Sequence, residues 1–226
     1  MTRLPWIGLA TAAALLASCH RPAEQATAPT SPVPVGVERA GPIRWNAAAG
    51  AFELNGKALK TAKLWTFDES TDGFTPVTSR IAPAPGQGLA LTIADPTIRS
   101  PKGLNVPGGQ YPLVLMRLTR TTPGALWDGA LHYSTPSHSE AFNYLGKPLS
   151  GANPAVGETT TLVYDMSRQA KGAPDWMQST IDQIRFDIED KPGGAFVIRQ
   201  VAIAENPEPG ALAPAAAPAA APAAKP

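Results

Sequence analysis

Few residues of this 226-residue chain have the types and spacing that catalysis requires. Hydrolysis by paired carboxylates needs two acids facing each other across a cleft. The acids between Asp165 and Asp190 all lie at turn or outward strand positions, so no pair among them stands out. His132 and His138 are separated by six positions through Pro136, a spacing that matches no familiar metal motif. Serine nucleophile elbows, phosphate loops and Cys-His pairs are absent. The sequence therefore predicts a protein that is not an enzyme.

The elements that would position any binding residues are short strands. Alternation of apolar and small or polar residues over 89–94 predicts a half-buried strand, and 159–166 predicts another. The run 113–116 is apolar on both faces, which predicts a central strand with Arg117 following on a largely apolar face. About eight such strands, separated by turn signals and without a convincing long helix, predict an all-β fold. An antiparallel two-sheet jelly-roll sandwich is its natural form.

The clearest pattern closes this domain. Apolar and charged residues alternate strictly over 184–189, residues 191–194 supply a turn, and an apolar strand returns over 196–203. The side on which the apolar residues lie changes between Ile198 and Val201, as a bulge would make it. The sequence thus predicts a β-hairpin that ends in a bulged strand.

The N-terminus predicts an export signal over residues 1–18. Arg3 is followed by an apolar run too short to span a bilayer, for which about 18 residues are needed. The stretch 16–19, Leu-Ala-Ser-Cys, resembles the bacterial lipobox, in which the cysteine is lipidated as the signal is removed. Cys19 is the only cysteine of the chain, and the alternative is a free thiol near an ordinary cleavage site. The resemblance implies that lipidated Cys19 anchors the protein in a bilayer. In such lipoproteins an aspartate after the cysteine signals retention in the inner membrane, so His20 implies the outer membrane. The protein could then lie on either the periplasmic or the surface face.

Composition divides the rest of the chain. Residues 19–41 are rich in Ala, Pro, Thr and Ser and predict a disordered tether. Residues 42–206 predict one β-sandwich, made of a prefix hairpin at 42–60 that turns at Asn55-Gly56 and a main jelly roll at 64–205. Residues 207–226 predict an Ala/Pro-rich tail, either disordered or serving as a spacer near the cell wall.

Charge excludes one class of partner. Arg3 is the only charged residue in the predicted signal peptide at 1–18. Its removal leaves 18 basic and 18 acidic residues, so the net charge of the mature protein is zero. No basic run or aromatic-basic cluster is present, and nucleic acid is therefore a poor candidate. Neutral or mildly polar ligands fit better.

The order of several short motifs resembles bacterial galactose-binding-like jelly rolls, the fold of many carbohydrate-binding modules. The motifs, which span 64–205, are Trp65-x-Phe67-Asp68, Asp72-Gly73-Phe74, Ile98-x-Ser100-Pro101-x-Gly103-Leu104, Tyr111-x-x-Val114-x-x-Arg117-Leu118, Asp175-Trp176, Ile184-Arg185-x-Asp187 and the strand 198–203. The resemblance implies a sugar-binding surface on a concave sheet or on the loops at one end. The same fold also serves as a non-binding accessory domain.

Sugars present flat apolar C–H faces and many hydroxyl groups, so their sites combine exposed aromatic rings with planar hydrogen-bonding groups. The side chains that could form such a site are Arg117, Trp127, His132, Tyr144, Trp176, Arg185 and Asp187. Some have structural alternatives. Trp127 and Trp176 stand beside turns and could cap the core. Arg117 and Asp187 could form an ion pair between neighbouring strands, and His132 could be an ordinary hydrogen-bonded sheet residue.

The same resemblance implies a structural calcium ion near the first and last strands. The hard oxygen ligands that calcium requires could come from Asp68, Glu69, Asp72 and Glu205.

Three hypotheses about function follow. The first is a membrane-anchored, non-catalytic module that binds a polysaccharide or envelope glycan through exposed aromatics and arginine. The second is a structural or assembly lipoprotein that contacts a protein partner in an envelope or polysaccharide export complex, which predicts an exposed apolar patch. The third, a hydrolase or lyase, needs two facing acids or an acid with a base in a cleft.

Overall fold

A computed structural model of the chain describes residues 36–92, 97–149 and 153–212. The predicted signal peptide at 1–18, Cys19, the tether up to residue 35 and the tail from residue 213 lie outside the described residues. The described part is mostly β-structure, as predicted, and its strands form several sheets. Among these described residues, helical structure is confined to one short α-helix, α1 (Asp175–Gln178), and two 3₁₀ turns (Met166–Arg168 and Pro209–Leu212).

The larger sheet has seven strands in the order β1-β14-β11-β17-β8-β7, with β5 also paired to β17. Its strands are β1 (Val37–Glu38), β5 (Thr61–Trp65), β7 (Arg80–Ala84), β8 (Gly88–Thr92), β11 (Leu113–Thr122), β14 (Glu158–Asp165) and β17 (Ala195–Ala204). All pairs are antiparallel except β1 with β14. As predicted, β11 is central, because β14 and β17 flank it.

The smaller sheet has five strands in the order β13-β12-β16-β9-β6. Its strands are β6 (Thr75–Pro76), β9 (Thr97–Arg99), β12 (Trp127–Ser134), β13 (Leu145–Gly146) and β16 (Gln183–Glu189). A short ladder joins β10 (Val106–Pro107) to β15 (Thr180–Ile181). The inner faces of the two main sheets share one hydrophobic core, in which Tyr164 of β14 and Phe186 of β16 contact each other with ring centroids 5.8 Å apart. The fold is therefore all-β and sandwich-like.

The predicted final hairpin is wrong. Strand β16 pairs with β12 and β9 in the smaller sheet, whereas β17 pairs with β11, β8 and β5 in the larger one. The segment 190–194 thus carries the chain across the core from one sheet to the other. The apolar faces of β16 and β17 both point into the same core, so the alternation correctly predicted which side of each strand is buried. It defines the buried face of a strand but not the neighbouring strand.

The predicted bulge is confirmed. Arg117 of β11 pairs with Gln200, and the next residue, Leu118, pairs with Ile198. Arg199 is therefore the extra residue, and the strand keeps Ile198 and Val201 on the core side.

The segment predicted as a prefix hairpin forms a three-stranded meander of β2 (Ile43–Asn46), β3 (Ala51–Leu54) and β4 (Lys57–Ala58). Asn55 and Gly56 both have positive φ, 50° and 80°, as the predicted tight turn requires. A second hydrophobic core joins this meander to the outer face of the larger sheet, where Leu113 and Leu115 lie.

Two predicted boundaries differ from the structure. Part of the predicted tether is ordered, because Glu38 of β1 bonds to Arg117 and Arg39 forms an ion pair with Glu158. At the other end, the predicted tail begins with an ordered turn whose Leu212 is buried in the second core. The composition of these segments did not predict that they are ordered, because each is held by residues that are distant in sequence.

Four edge strands of the two main sheets are short or carry proline, whereas β5, which pairs only with β17 among the described strands, has five residues and no proline. The larger sheet ends in the two-residue β1 and in β7, which contains Pro83; the smaller ends in β13 and in β6, which contains Pro76. Proline lacks the N–H that a further strand would bond, and such edges resist sheet extension.

Candidate functional site

A polar cleft of about 790 Å³ opens on the outer face of the smaller sheet. Because Ile184 and Phe186 face the core, Arg185 and Asp187, which alternate with them on β16, face outward. The loop that follows β12 forms the opposite wall with residues 135–140. The cleft is thus built from one rigid sheet face and one loop.

Three outward side chains stand in a row across this sheet. His132 of β12 pairs with Arg185 of β16, which in turn pairs with Arg99 of β9. Residues directly opposite each other in neighbouring strands project to the same side, about 5 Å apart. Strand pairing alone therefore gathers two guanidinium groups and an imidazole on one face.

A single carboxylate from the loop lies against both arginines. Arg99 Nε donates to Glu140 Oε1 and Oε2 at 2.8 and 2.9 Å, whereas Arg185 Nη1 is 3.4 Å from Glu140 Oε2. A second contact of Arg185 is also long, 3.4 Å from Nη2 to Asp187 Oδ2. Its Nε is buried and has no hydrogen-bond partner among the described residues. The guanidinium of Arg99 thus forms short hydrogen bonds, whereas that of Arg185 has only long contacts and an unpartnered Nε.

The loop is held in place by an aromatic cluster. The ring of His138 stacks on Tyr144 with centroids 3.6 Å apart, and its Nε2 lies 2.9 Å from Asp175 Oδ2. The hydroxyl of Tyr133 donates to the same aspartate oxygen at 2.9 Å, and its burial raises the pKa of the Tyr133 phenol. These contacts position Glu140 over the arginine row.

His132 is buried at the end of that row. Burial, and then the nearby charge of Arg185, lower the pKa of His132 below its ordinary value, although a hydrogen bond to the backbone of Ala141 and the acids Asp128 and Glu140 oppose the shift. Its Nδ1 is buried without a partner in the described part of the chain. The imidazole is buried and is not among the side chains that line the cleft.

The three aromatic residues predicted to bind sugar, Trp127, Tyr144 and Trp176, are not exposed together. Trp176 is fully buried in the core, and its Nε1 donates to the carbonyl oxygen of Tyr111 at 3.3 Å, so its prediction as an exposed sugar-binding residue is wrong. Trp127 is half-buried, with the guanidinium of Arg120 over its ring. Tyr144 is half-buried beneath His138. Trp176 belongs to the core itself, whereas Trp127 and Tyr144 pack against it, as the core-capping alternative for Trp127 expected.

Arg117 lies on the other sheet. It donates to Glu38 at 2.7 Å and to Gln200 at 3.0 Å on the outer face of the larger sheet. Both of its predicted roles that involve Asp187, shared site and cross-strand ion pair, are therefore wrong. Asp187 instead accepts a hydrogen bond from Thr97 at 3.0 Å on the smaller sheet.

Three of the four acids predicted to hold calcium form hydrogen bonds within the protein. Asp72 accepts from the backbone N–H of Phe67 and from Ser70, and Asp68 accepts from Thr66. Glu205 accepts from the backbone of Lys60. Across the described residues, the one set of three acids with oxygens within 4.8 Å of one another excludes Asp68, Glu69, Asp72 and Glu205; it consists of Asp128, Asp187 and Asp190.

Arg99 and Glu140 are the site residues that sequence reasoning did not assign to binding. Arg99 follows the buried Ile98, and that alternation is the local signal that its side chain faces outward. Its position beside Arg185 depends on strand pairing across 86 residues, which the sequence does not display.

The chain matches no protein-family model, and no curated protein matches it. Within 36–92, 97–149 and 153–212, no helix is both long and apolar enough to cross a bilayer.

Proposed function

We propose that the protein is a membrane-anchored, non-catalytic module that binds a polysaccharide or envelope glycan in the cleft on its smaller sheet. The observation that carries the proposal is the in-register pair of Arg185 and Arg99 at the floor of an open polar cleft. The proposal includes the finer fold, a galactose-binding-like jelly roll, in which a sheet face of this kind is a place for sugars.

The chemistry of the cleft suits sugar hydroxyls. Guanidinium groups donate in a planar fork that can bridge two neighbouring oxygens. Hydroxyl and amide side chains of Ser134, Ser137 and Gln183 also line the cleft and offer both donors and acceptors. The cleft therefore favours a hydroxyl-rich ligand held by polar contacts rather than by aromatic stacking.

The acids of the cleft favour binding over hydrolysis. Glu140 accepts from Arg99, and Asp182 accepts from the backbone N–H of Gly103 at 3.0 Å. Both are engaged by the protein as acceptors, whereas a glycosidase needs one free general acid opposite a second carboxylate. This supports a non-enzymatic role.

The anchor is part of the proposal and depends on the lipobox-like stretch 16–19. Lipidated Cys19 would hold the protein to the outer membrane, and the residues from 20 to about 35 would separate the sandwich from the bilayer. This arrangement suits capture of an envelope glycan.

The test is isothermal titration of the purified protein with a panel of neutral and acidic polysaccharides. We expect saturable heat that is lost in Arg185→Gln and kept in Arg44→Gln, a matched loss of an arginine on the separate three-stranded sheet. Silence across the panel would overturn glycan binding and favour the assembly lipoprotein, to be followed by crosslinking to a protein partner. Heat that survives Arg185→Gln would place the site elsewhere.

A further inference from the structure

We infer that the ligand of this cleft carries a carboxylate, as in a uronic-acid residue, and that Arg185 binds it while Glu140 competes for the same group. The inference rests on the proposed function and narrows its ligand class. It is carried by the incomplete hydrogen bonding of Arg185.

Arg185 has more donor capacity than the protein uses. Its contacts to Glu140 and to Asp187 are both 3.4 Å long, and its buried Nε has no hydrogen-bond partner among the described residues. Arg117 on the other sheet shows the contrast, since it reaches Glu38 at 2.7 Å and Gln200 at 3.0 Å. A buried donor without a partner is costly, so a ligand that supplies an acceptor gains affinity.

A planar carboxylate matches the guanidinium of Arg185 in shape and charge. Two oxygens of one carboxylate can accept in parallel from one guanidinium, the geometry that arginine recognises best. Lys102 and Arg99 also line the cleft and add positive charge. The side chain of Arg185 lines the cleft and is 21% exposed, so part of it is reachable from the cleft although its Nε is buried.

The nearby acids favour a single negative charge. Asp187 lies beside Arg185 on the same strand, and Glu140 lies above it. A phosphate or a densely sulfated chain would bring further negative charge against both carboxylates. A carboxylate of charge −1 is the anion that the local charges best accommodate.

Glu140 already shows how a carboxylate sits here. It satisfies Arg99 closely and reaches Arg185 only weakly. Its negative charge repels an incoming carboxylate, and its removal should help the ligand. In Glu140→Gln, which keeps the size and an acceptor oxygen, we expect uronate binding to become about three- to tenfold tighter.

The experiment is isothermal titration with homogalacturonan, alginate and hyaluronan, with fully methyl-esterified homogalacturonan as the matched neutral chain. We expect the acidic chains to bind and the ester to bind at least about tenfold more weakly. We expect Arg185→Lys, which keeps the charge but loses the fork, to weaken binding of the acidic chains by a similar factor. Thermal melting of each variant verifies that it is folded.

The outcomes separate this inference from the proposed function. Equal binding of the ester, or binding of neutral chains alone, would overturn the carboxylate and leave glycan binding standing. Equal binding of polyglutamate or tighter binding of dextran sulfate would mean that negative charge alone is recognised, and would also overturn it. Weaker uronate binding in Glu140→Gln would make Glu140 a support of the loop rather than a competitor. Silence towards every polysaccharide would remove the proposed function itself.

Discussion

Arg120 and Glu189 form a buried ion pair that joins the two sheets, with 2.6 Å between Nη1 and Oε1. Arg120 belongs to β11 and Glu189 to β16, and their side chains are 5% and 0% exposed. The guanidinium lies 4.8 Å from the ring centroid of Phe196. A Cβ atom at Gly194 would lie 1.9 Å from Glu189 Oε2, so this glycine leaves room for the carboxylate. The pair is thus enclosed where the chain crosses from β16 to β17.

Loss of one partner should be far worse than loss of both. In Arg120→Met the carboxylate of Glu189 stays buried without its cation, and we expect the free energy of unfolding to fall by about 3–5 kcal/mol. The double variant Arg120→Met/Glu189→Gln should recover part of that loss. Urea denaturation of the four proteins in this cycle measures the coupling. Additive losses would show that the pair contributes nothing of its own.

A comparison of Gly88 with Gly193 can separate the cost of backbone strain from the cost of steric crowding. Gly88 and Gly193 have nearly the same φ, 120° and 124°, but a Cβ at Gly88 would lie 2.2 Å from the carbonyl oxygen of Ile198, while Gly193 has open space. Gly193→Ala measures the cost of the dihedral alone. We expect Gly88→Ala to destabilise the protein by about 1–3 kcal/mol more, from overpacking beside the bulge. Equal melting temperatures for the two variants would contradict the close approach of β8 to β17.

Stability should depend on pH through His132. Its folded pKa lies below its ordinary value of 6.5, because of burial first and Arg185 second. Just below pH 6.5 the unfolded chain therefore binds a proton that the folded chain does not, and the free energy of unfolding falls as the pH falls through this window. The negative charges of Asp128 and Glu140 oppose this lowering of the His132 pKa and so reduce the effect.

The measurement is urea denaturation between pH 7.5 and 5.5 in the unmodified protein and in His132→Asn. We expect a smaller loss of stability on acidification in the variant. His138→Gln serves as the control, since it removes the more exposed histidine and leaves His132 in place. An identical pH dependence in the unmodified protein and His132→Asn would be incompatible with a lowered pKa at His132.

The predicted anchor can be tested in a bacterial host. We expect an alkyne-tagged palmitate to label the protein and Cys19→Ser to abolish the label, because Cys19 is the only thiol of the chain. His20→Asp should move the protein from the outer to the inner membrane fraction. Unlabelled protein in the soluble fraction would support an ordinary cleavage site instead.

Local patterns predicted what depends on neighbours in sequence. The Asn55-Gly56 turn, the two-sided burial of 113–116 and the bulge at Arg199 were visible because each follows from the conformation or burial of a few adjacent residues. The position of β16 was not visible, because alternation is the same whether a strand pairs with its successor or faces it across a core.

The site depended on such distant pairings. Arg99, Glu140 and Arg185 come from three segments and meet only when β9 pairs with β16 and the loop after β12 folds over them. The prediction that Trp176 is exposed was wrong for a different reason. A tryptophan after Pro-Asp can face solvent or close the core, and only the volume left between the sheets decides which.

The short, proline-bearing edges have a consequence for how partners are recognised. A peptide that binds by β-augmentation needs a long row of free backbone donors and acceptors, and β1, β6 and β13 are two residues long, while Pro83 interrupts β7. At these four edges, recognition is thus left to side chains on the sheet faces and loops. Copies of the protein crowded on one surface would likewise find no extended backbone template at these four edges, which disfavours strand-to-strand association through them.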